Sequence, residues 1–598
     1  MSKWMVSMKK SDFDATAARF GIKNITARLL TNRGIVTDEE IERFLHGDVS
    51  MLHDPHELKD VEKGAEIIAD EIAGRSAIRV IGDYDVDGIC SSYILVKGLR
   101  LFGGDVDFVL PDRVKDGYGL SVKLVDQAKA DGRDVIITCD NGIAAYDQVA
   151  HAAELGMRVV VTDHHEVPFE SDQSSGEKIK EILPPAQAVI DPKRREDTSS
   201  FKEICGAVVA YKFLQVLAET MGRAQDAKVR EFFDEMLIFA GLATVCDVME
   251  LADENRIIVK ESLRRIADTQ NLGLRALINV NELNASAISA FHYGFVIGPC
   301  LNATGRLDLA SRALELFLSE DENEAARIAG DLKNMNDSRK ILTQKGVDRA
   351  SEIIDEETAR EGLPKVIVVF LDDAHESIAG IVAGRIKEKY YRPTIVLTRA
   401  EGGGVKGSAR SIEKYDMFMH LSEVKDIFTK FGGHKMAAGL SLPEERIDEL
   451  KRRLNENCDL EDDDFTPVLH IDMVLPFKYA DKQLIREFEL LEPFGNGNVK
   501  PVFAQKNVAL LSGRIMGKGR KCFKYKVTDE SGAVLDMVYF GDGERWHDFL
   551  ISRFGQDALD RLYDNRGNGE IKVSVAYYPN INSYMGRETV QIVMNDFT

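Results

Sequence analysis

Cysteine is scarce in this chain of 598 residues: there are seven, at 90, 139, 205, 246, 300, 458 and 522, and no two form a Cys-x-x-Cys pair. That excludes a disulfide framework and a zinc ribbon, and it points to a reducing, cytoplasmic setting. The opening residues MSKWMVSMKK contain no apolar core of the roughly 7–15 residues a secretory signal needs. Long hydrophobic runs are lacking too. Residues 283–305 form a charge-free stretch long enough to cross a bilayer. They include three Asn or Thr, two Ser, three Gly, His292 and Pro299, so a buried, loop-rich segment is expected and no membrane contact. Positive charge is also in deficit. With 77 basic against 99 acidic side chains the net charge is −22, so a polyanion could be held only by a local basic surface. No internal repeat or low-complexity tract is evident.

What is present reads as a multidomain α/β protein. Hydrophobic residues at 44% and charged residues at 29% exclude disorder, and at about 150 residues per domain the length suits about four domains. Residues 1–66 read as a helical segment, with Thr37 opening one helix. Short β-branched runs follow: AIRVIG (77–82), VDFVLP (106–111), DVIITC (134–139), RVVVT (158–162) and AQAVI (186–190). Helix-like stretches between them predict a mostly parallel sheet covered on both faces, across 67–285. Residues 286–352 are expected to be a linker with long helices. A second α/β domain is expected at 353–456, around KVIVVFL (365–371) and PTIVLT (393–398). After a polar break at Glu461, short strands and a helix near 543–563 suggest a small β-barrel at 465–598, an OB fold being one candidate.

Acidic groups fall where the strands end. Asp83, Asp85 and Asp87 follow the first run in GDYDVDG, Asp140 ends the third, and Asp163, His164 and His165 end the fourth in TDHHE. Ligands collect outside the carboxyl ends of the strands in open α/β sheets, so these groups should converge. Alternation along an extended chain would point Asp85 and Asp87 into one site. A lone Asp at a strand end is more often a helix cap, but three such clusters on consecutive strands argue for a shared site. Carboxylates this close need cations, and carboxylates with imidazole suit manganese or magnesium. An Asp bridging two ions would hold them about 3.5–4 Å apart, the spacing that activates water for phosphoryl transfer.

GDYDVDG, CDNG and TDHHE resemble the motifs of the DHH phosphoesterase family. PDRVKDGYGLS, CGAVVAYK, GLATVCDVMEL, GPCLNATGRLD, GSARS, FGGHKMAAGLSL and LEPFGNGN extend the likeness, in order, to its RecJ branch of single-strand-specific exonucleases. The resemblance implies a DHH catalytic domain, a DHH-associated domain and an OB-like nucleic-acid-binding barrel. It implies two manganese or magnesium ions held by Asp85, Asp87, Asp140, His164 and Asp247, with Asp83 and His165 as further catalytic groups. Asp247 comes from the resemblance alone, since it follows a helix-like run. The implied activity is hydrolysis of single-stranded DNA from its 5′ end, in repair and recombination. Single-strand-binding protein and a helicase are the implied partners of a monomer. Three residues depart from the pattern: Asp191 stands where many relatives carry Asn, Cys300 where Arg is frequent, and Ala374 where Trp is common.

Gly-rich turns beside Ser, Arg and His can hold a phosphate. Ser408, Arg410, His434 and His375 in the second domain, and Asn302 and Arg306 at the hinge, are the expected substrate contacts. Residues 499–527 hold eight basic side chains and no acidic one. Within them Lys518, Arg520, Lys521 and Lys524, with Phe523 and Tyr525 interleaved, are expected to bind the strand, lysines on phosphates and rings on bases. Phe523 and Tyr525 share one face by strand period, so both could instead be core. Two other functions stay open: a phosphohydrolase of short oligonucleotides, cyclic dinucleotides or pyrophosphate, and a non-catalytic replication scaffold.

Overall fold

The β-branched runs become buried parallel strands because both of their faces are apolar. In the computed structural model these are β1 (Ala77–Ile81), β2 (Asp105–Val109), β3 (Val135–Cys139), β4 (Arg158–Thr162) and β5 (Ala188–Ile190). The structure describes residues 2–598 apart from 113–116, 172–177, 308–309, 401–402, 518–521, 565, 568 and 585, and apart from the side chains of 171, 178–179, 306–307 and 584. All five strands are parallel, in the order β2-β1-β3-β4-β5. Helices α1 (Val86–Leu101), α2 (Val122–Ala130), α3 (Tyr146–Glu154), α4 (Gly206–Thr220) and α5 (Ala227–Cys246) cover the sheet. One face carries a large core shared by α1, α4 and α5, the other a smaller one with α2 and α3. The strand order reverses beside β1, and a crevice forms there at the carboxyl ends.

The chain divides into two compact units, Gly47–Leu460 with Gly495–Gly497, and Met1–His46 with Glu461–Phe494 and Asn498–Thr598. The first unit continues through α6 (Gly298–Leu307) into α7 (Glu322–Glu361), a helix of 40 residues and about 60 Å. A second sheet follows, with β6 (Ile367–Leu371), α8 (Ala379–Tyr390), β7 (Thr394–Arg399), β8 (Val405–Arg410), β9 (Lys430–His434) and β10 (Ala437–Leu442). Its order is β9-β10-β8-β7-β6, antiparallel except for β6–β7.

The other unit is a barrel: β11 (Phe503–Met516), β12 (Cys522–Thr528), β13 (Val534–Tyr539), α9 (Gly543–Phe554), α10 (Gln556–Tyr563), β14 (Lys572–Tyr584) and β15 (Arg587–Phe597). Strands run β11-β12-β13-β15-β14, and β14 closes onto β11. The single helix expected near 543–563 is thus two.

Two further expectations change. The N-terminal segment 1–66 is split, because Lys3–Val6 pairs in parallel with Val468–Ile471 and Leu29, Leu30, Ile41 and Leu45 pack into the barrel's core. Thr37 does open a helix: its hydroxyl accepts from Glu40 N and its amide donates to Glu40 Oε2, a reciprocal cap. Residues 283–305 are helical rather than loop-rich, with Ala290–His292, a π turn at Tyr293–Ile297 and then α6. Among the described residues no helix is long and apolar enough to cross a membrane.

Candidate metal centre

Asp85 and Asp87 reach the crevice by helix geometry, not by strand alternation. Asp85 caps α1, its Oδ1 accepting from Asp87 N at 2.9 Å and Gly88 N at 3.1 Å. Asp87 sits in the first turn, and its two oxygens accept from Gly206 N (2.6 Å) and Ala207 N (2.8 Å) at the start of α4. That fixes the carboxylate against a helix N-terminus, where negative charge is favoured. A Cβ on Gly206 would stand 2.8 Å from the Asp140 side chain, so no larger residue fits between the two acids.

Asp140 follows β3 with φ +59, a strained backbone for a non-glycine residue. The surroundings hold it there: Asn141 Nδ2 donates to Ile81 O and Cys139 O, and Tyr118 OH donates to Asp140 O at 2.8 Å. His164 Nε2 lies 3.1 Å from Asp140 Oδ1, 3.5 Å from Asp87 Oδ2 and 3.8 Å from Asp247 Oδ2. Asp247 closes the C-terminus of α5, so an acid carried by a helix joins acids carried by strand ends. His165 Nδ1 contacts Asp163 Oδ1 at 2.8 Å, and Asp163 Oδ2 accepts from Ile143 N. Asp83 Oδ1 accepts from Gly119 N at 3.2 Å.

Donor atoms lie within 4.8 Å of one another in each of three sets: Asp83, Asp85 and Asp140; Asp87, His164 and Asp247; and Asp140, His164 and His165. Asp140 and His164 each belong to two sets. Among the described residues no lysine or arginine forms an ion pair with Asp83, Asp85, Asp87, Asp140 or Asp247. Burial and Asp85 push Asp83 up to about 8, and burial with Asp87 and Asp85 does the same to Asp247. Burial and the neighbouring acids also raise Asp85, and raise Asp140 well above the carboxylate range. Burial holds His164 below the usual imidazole range, which leaves its nitrogen free to bind a cation. Burial alone would lower His165, but the Asp163 hydrogen bond and charge carry it up to about 9. Such a donor set, crowded carboxylates and neutral imidazole without a thiolate, fits hard divalent cations. Cys246 is adjacent in sequence, yet its thiol is directed at Tyr293 O.

Known proteins share this chain's parts in the same order. Residues 77–240 match the DHH family, N-terminal domain, residues 363–459 the DHHA1 domain, and residues 471–596 the RecJ OB domain. The single-stranded-DNA-specific exonuclease RecJ of Bacillus subtilis is 35% identical over 583 residues, which span 96% of this chain and 70% of that protein. The chain belongs to the RecJ family. RecJ of Escherichia coli is 32% identical over 622 residues, 99% of each chain. The crystal structure of RecJ from Thermus thermophilus in complex with Mn2+ superposes with a TM-score of 0.79 at 25% identity, covering 100% of this chain and 79% of that one.

Of the family's departures, Asp191 ends β5 fully buried, its Oδ1 accepting from Lys193 N. Cys300 is buried in α6, where Asn281 and Asn336 contact its sulfur, so it is part of the hinge's packing. Half-buried Asn302 lies on α6; Arg306 is on the same helix, its side chain outside the described residues.

In the RecJ-like second sheet, register aligns Arg410, Ala437 and His434 in one row and Ser408, Gly439 and Gly432 in another. Alternate residues share a face, so Ser408, Arg410 and His434 stand over a low floor of glycine and alanine. Arg410 Nη1 donates to Ser408 Oγ at 3.1 Å. His375 caps the turn that leads into α8.

The barrel corrects the stacking expectation. Phe523 and Tyr525 are buried, and both belong to its core. Tyr525 OH accepts from Trp546 Nε1 at 2.8 Å and meets Tyr563 OH at 2.7 Å. They face inward because β12 closes over α9 and α10, a tertiary fact that strand period leaves open. Lys524 is paired with Asp536 at 2.8 Å. Lys518, Arg520 and Lys521 lie outside the described residues.

Proposed function

We propose that this protein is a metal-dependent exonuclease that hydrolyses the phosphodiester bonds of single-stranded DNA from the 5′ end. The carrying observation is the convergence of Asp83, Asp85, Asp87, Asp140, His164 and Asp247 at the sheet's carboxyl ends, in donor sets that share Asp140 and His164, without a lysine or arginine paired to the acids among the described residues. Asp85, Asp87, Asp140, His164 and Asp247 would hold two ions, manganese or magnesium. Bound there, such cations supply a polarised water and the charge that offsets the departing oxygen.

The chain's own groups do the rest. The α4 amides fix Asp87, and the Asn141 and Tyr118 contacts fix the strained Asp140, so the ligand atoms are held before substrate arrives. Held by its hydrogen bond to Asp163, His165 is placed as a proton donor and anion contact beside the ligands. Ser408, Arg410 and His434, with Asn302, Arg306 and His375, bind the sugar–phosphate chain, and the barrel adds affinity along the strand. None of these contacts reads a base, so sequence preference should be low. We further infer a role in DNA repair and recombination in the cytoplasm, beside single-strand-binding protein and a helicase.

The test is digestion of end-blocked single and double strands with manganese, magnesium or chelator. Metal-dependent loss of single strands with a free 5′ end, and survival of 5′-blocked ones, is expected. Turnover of very short strands only would favour the small-substrate phosphohydrolase.

A further inference from the structure

The apolar segment 283–305 is amphipathic in an unusual way. Its inward face, Ala290, Tyr293 and Ile297, is buried, while its outward face carries phenyl rings instead of polar groups. Phe291 is 61% exposed and Phe295 69%. Their rings stack on each other with centroids 5.0 Å apart and an interplanar angle of 22°. Phe295 lies within the π turn Tyr293–Ile297, a feature frequent at functional sites.

The segment borders the acid cluster. The Cys246 thiol, one residue before Asp247, donates to Tyr293 O, and a Cβ on Gly298 would stand 2.5 Å from the same sulfur. Further along, a Cβ on Gly305 would stand 2.8 Å from the carbonyl of Tyr84, the residue between Asp83 and Asp85. Residues 291–305 therefore flank the centre from Asp247 to the first acidic motif. Val248, next to Asp247, is also exposed, with φ +59, a genuine outlier for a β-branched residue.

We propose that Phe291 and Phe295 form a stacking platform for an unpaired nucleobase next to the bond that is cut, a role that rests on the single-strand nuclease reading above. Continuity with the acid cluster decides the occupant: Tyr293, whose carbonyl accepts from the thiol next to Asp247, stands midway between the two rings along the segment. Every base has a π face, so the platform tolerates any sequence. A base within a duplex is already stacked on both sides, so the same platform favours single strands.

The experiment is a cycle between side chain and base. Full-length protein, wild type and Phe295→Ala, is bound in chelator to an oligonucleotide with a 5′ phosphate, and to copies with one abasic site moved along the 5′ end. Cleavage of the same strands is then followed with manganese. Phe295→Ala should bind the intact strand roughly 5- to 100-fold more weakly. One abasic position should weaken wild type by a similar factor and leave the variant nearly unaffected. Phe295→Trp should restore binding; Phe295→Leu, which keeps an apolar side chain without a flat ring, should not, and it decides the question if the Ala variant fails to fold. An abasic penalty equal in wild type and variant overturns the proposal. So does a change of oligomeric state with strand affinity intact, which would assign the rings to a protein contact. If wild type neither binds nor cuts single strands, the nuclease reading falls and takes this inference with it.

Discussion

At the carboxyl ends of the parallel sheet, five carboxylates crowd together in donor sets linked through Asp140 and His164, without a lysine or arginine paired to them among the described residues. In the barrel, by contrast, Asp536 is flanked by Lys524 at 2.8 Å and Lys526 at 2.5 Å. Both are charged clusters, yet the first is unbalanced and buried and the second is balanced by the chain itself. The aromatic residues differ in the same sense, with Phe291 and Phe295 left in water while Phe523 and Tyr525 fill a core. Unbalanced charge and exposed rings mark what must come from outside. Balanced charge and buried rings mark what the fold already uses.

The largest effect should follow from removing Asp140. Asp140→Ala is expected to lower hydrolysis by roughly three orders of magnitude or more, because its carboxylate belongs to two of the donor sets. Its melting temperature in chelator should stay level or rise, since a buried acid beside Asp87, Asp85, Asp247 and Asp83 is relieved. Near wild-type turnover from a folded variant would sink the assignment.

The barrel's rings give the second test. Phe523→Ala should cost about 3–5 kcal/mol of the barrel's stability, and protein that remains folded should keep its strand affinity. Tyr525→Phe should cost less, roughly 1–2 kcal/mol, for the hydrogen bonds with Trp546 and Tyr563. A stable Phe523→Ala protein with weakened DNA binding would restore the stacking role that burial denies.

How legible all this was depended on where each signal came from. The five parallel strands could be read because buried strands are continuous β-branched runs, and Asp83, Asp140 and Asp163 because they end such runs. Asp247 could not, since only the packing of α5 brings its C-terminus to the sheet. For Asp85 and Asp87 the convergence was right but the reason was wrong, as capping and a helix turn replace strand alternation. The inward turn of Phe523 and Tyr525 was undecidable from a period of two. The helical nature of 283–305 was hidden by its Gly, Ser and Asn content, which packing against α5 overrides.

A third test acts on the unbalanced charge through pH. Asp83 and Asp247, pushed up to about 8, have unfolded values of about 4. Between those values the metal-free folded chain binds more protons than the unfolded one, so its stability falls as pH rises from about 4 to 8. His165, raised to about 9, adds the same sign above its unfolded value. Melting temperature in chelator should therefore drop across this window, and manganese should flatten the drop by taking the protons' place. A chelated protein whose melting temperature climbs from pH 5 to 8 would show that the acids are balanced by something else.

The smallest effect probes the balanced cluster. Burial pushes Asp536 up, but the hydrogen bonds from Lys524 and Lys526 hold it below the ordinary carboxylate range, so it cancels part of the positive face it sits in. Asp536→Asn keeps the shape and removes that cancellation. If the strand's phosphates meet this face, affinity at low salt should rise roughly 2- to 5-fold. Its salt dependence should steepen as well, by up to about 0.7 in the logarithmic slope for one further phosphate neutralised. Lys526→Gln should move both quantities the opposite way, because it takes away a cation and leaves Asp536 paired to Lys524 alone. Paired measurements of affinity against salt on these two variants separate a phosphate-binding face from a self-contained ion cluster. If neither variant changes the slope, the lysines of β12 serve only to neutralise Asp536, and the barrel's grip on the strand must lie on another face.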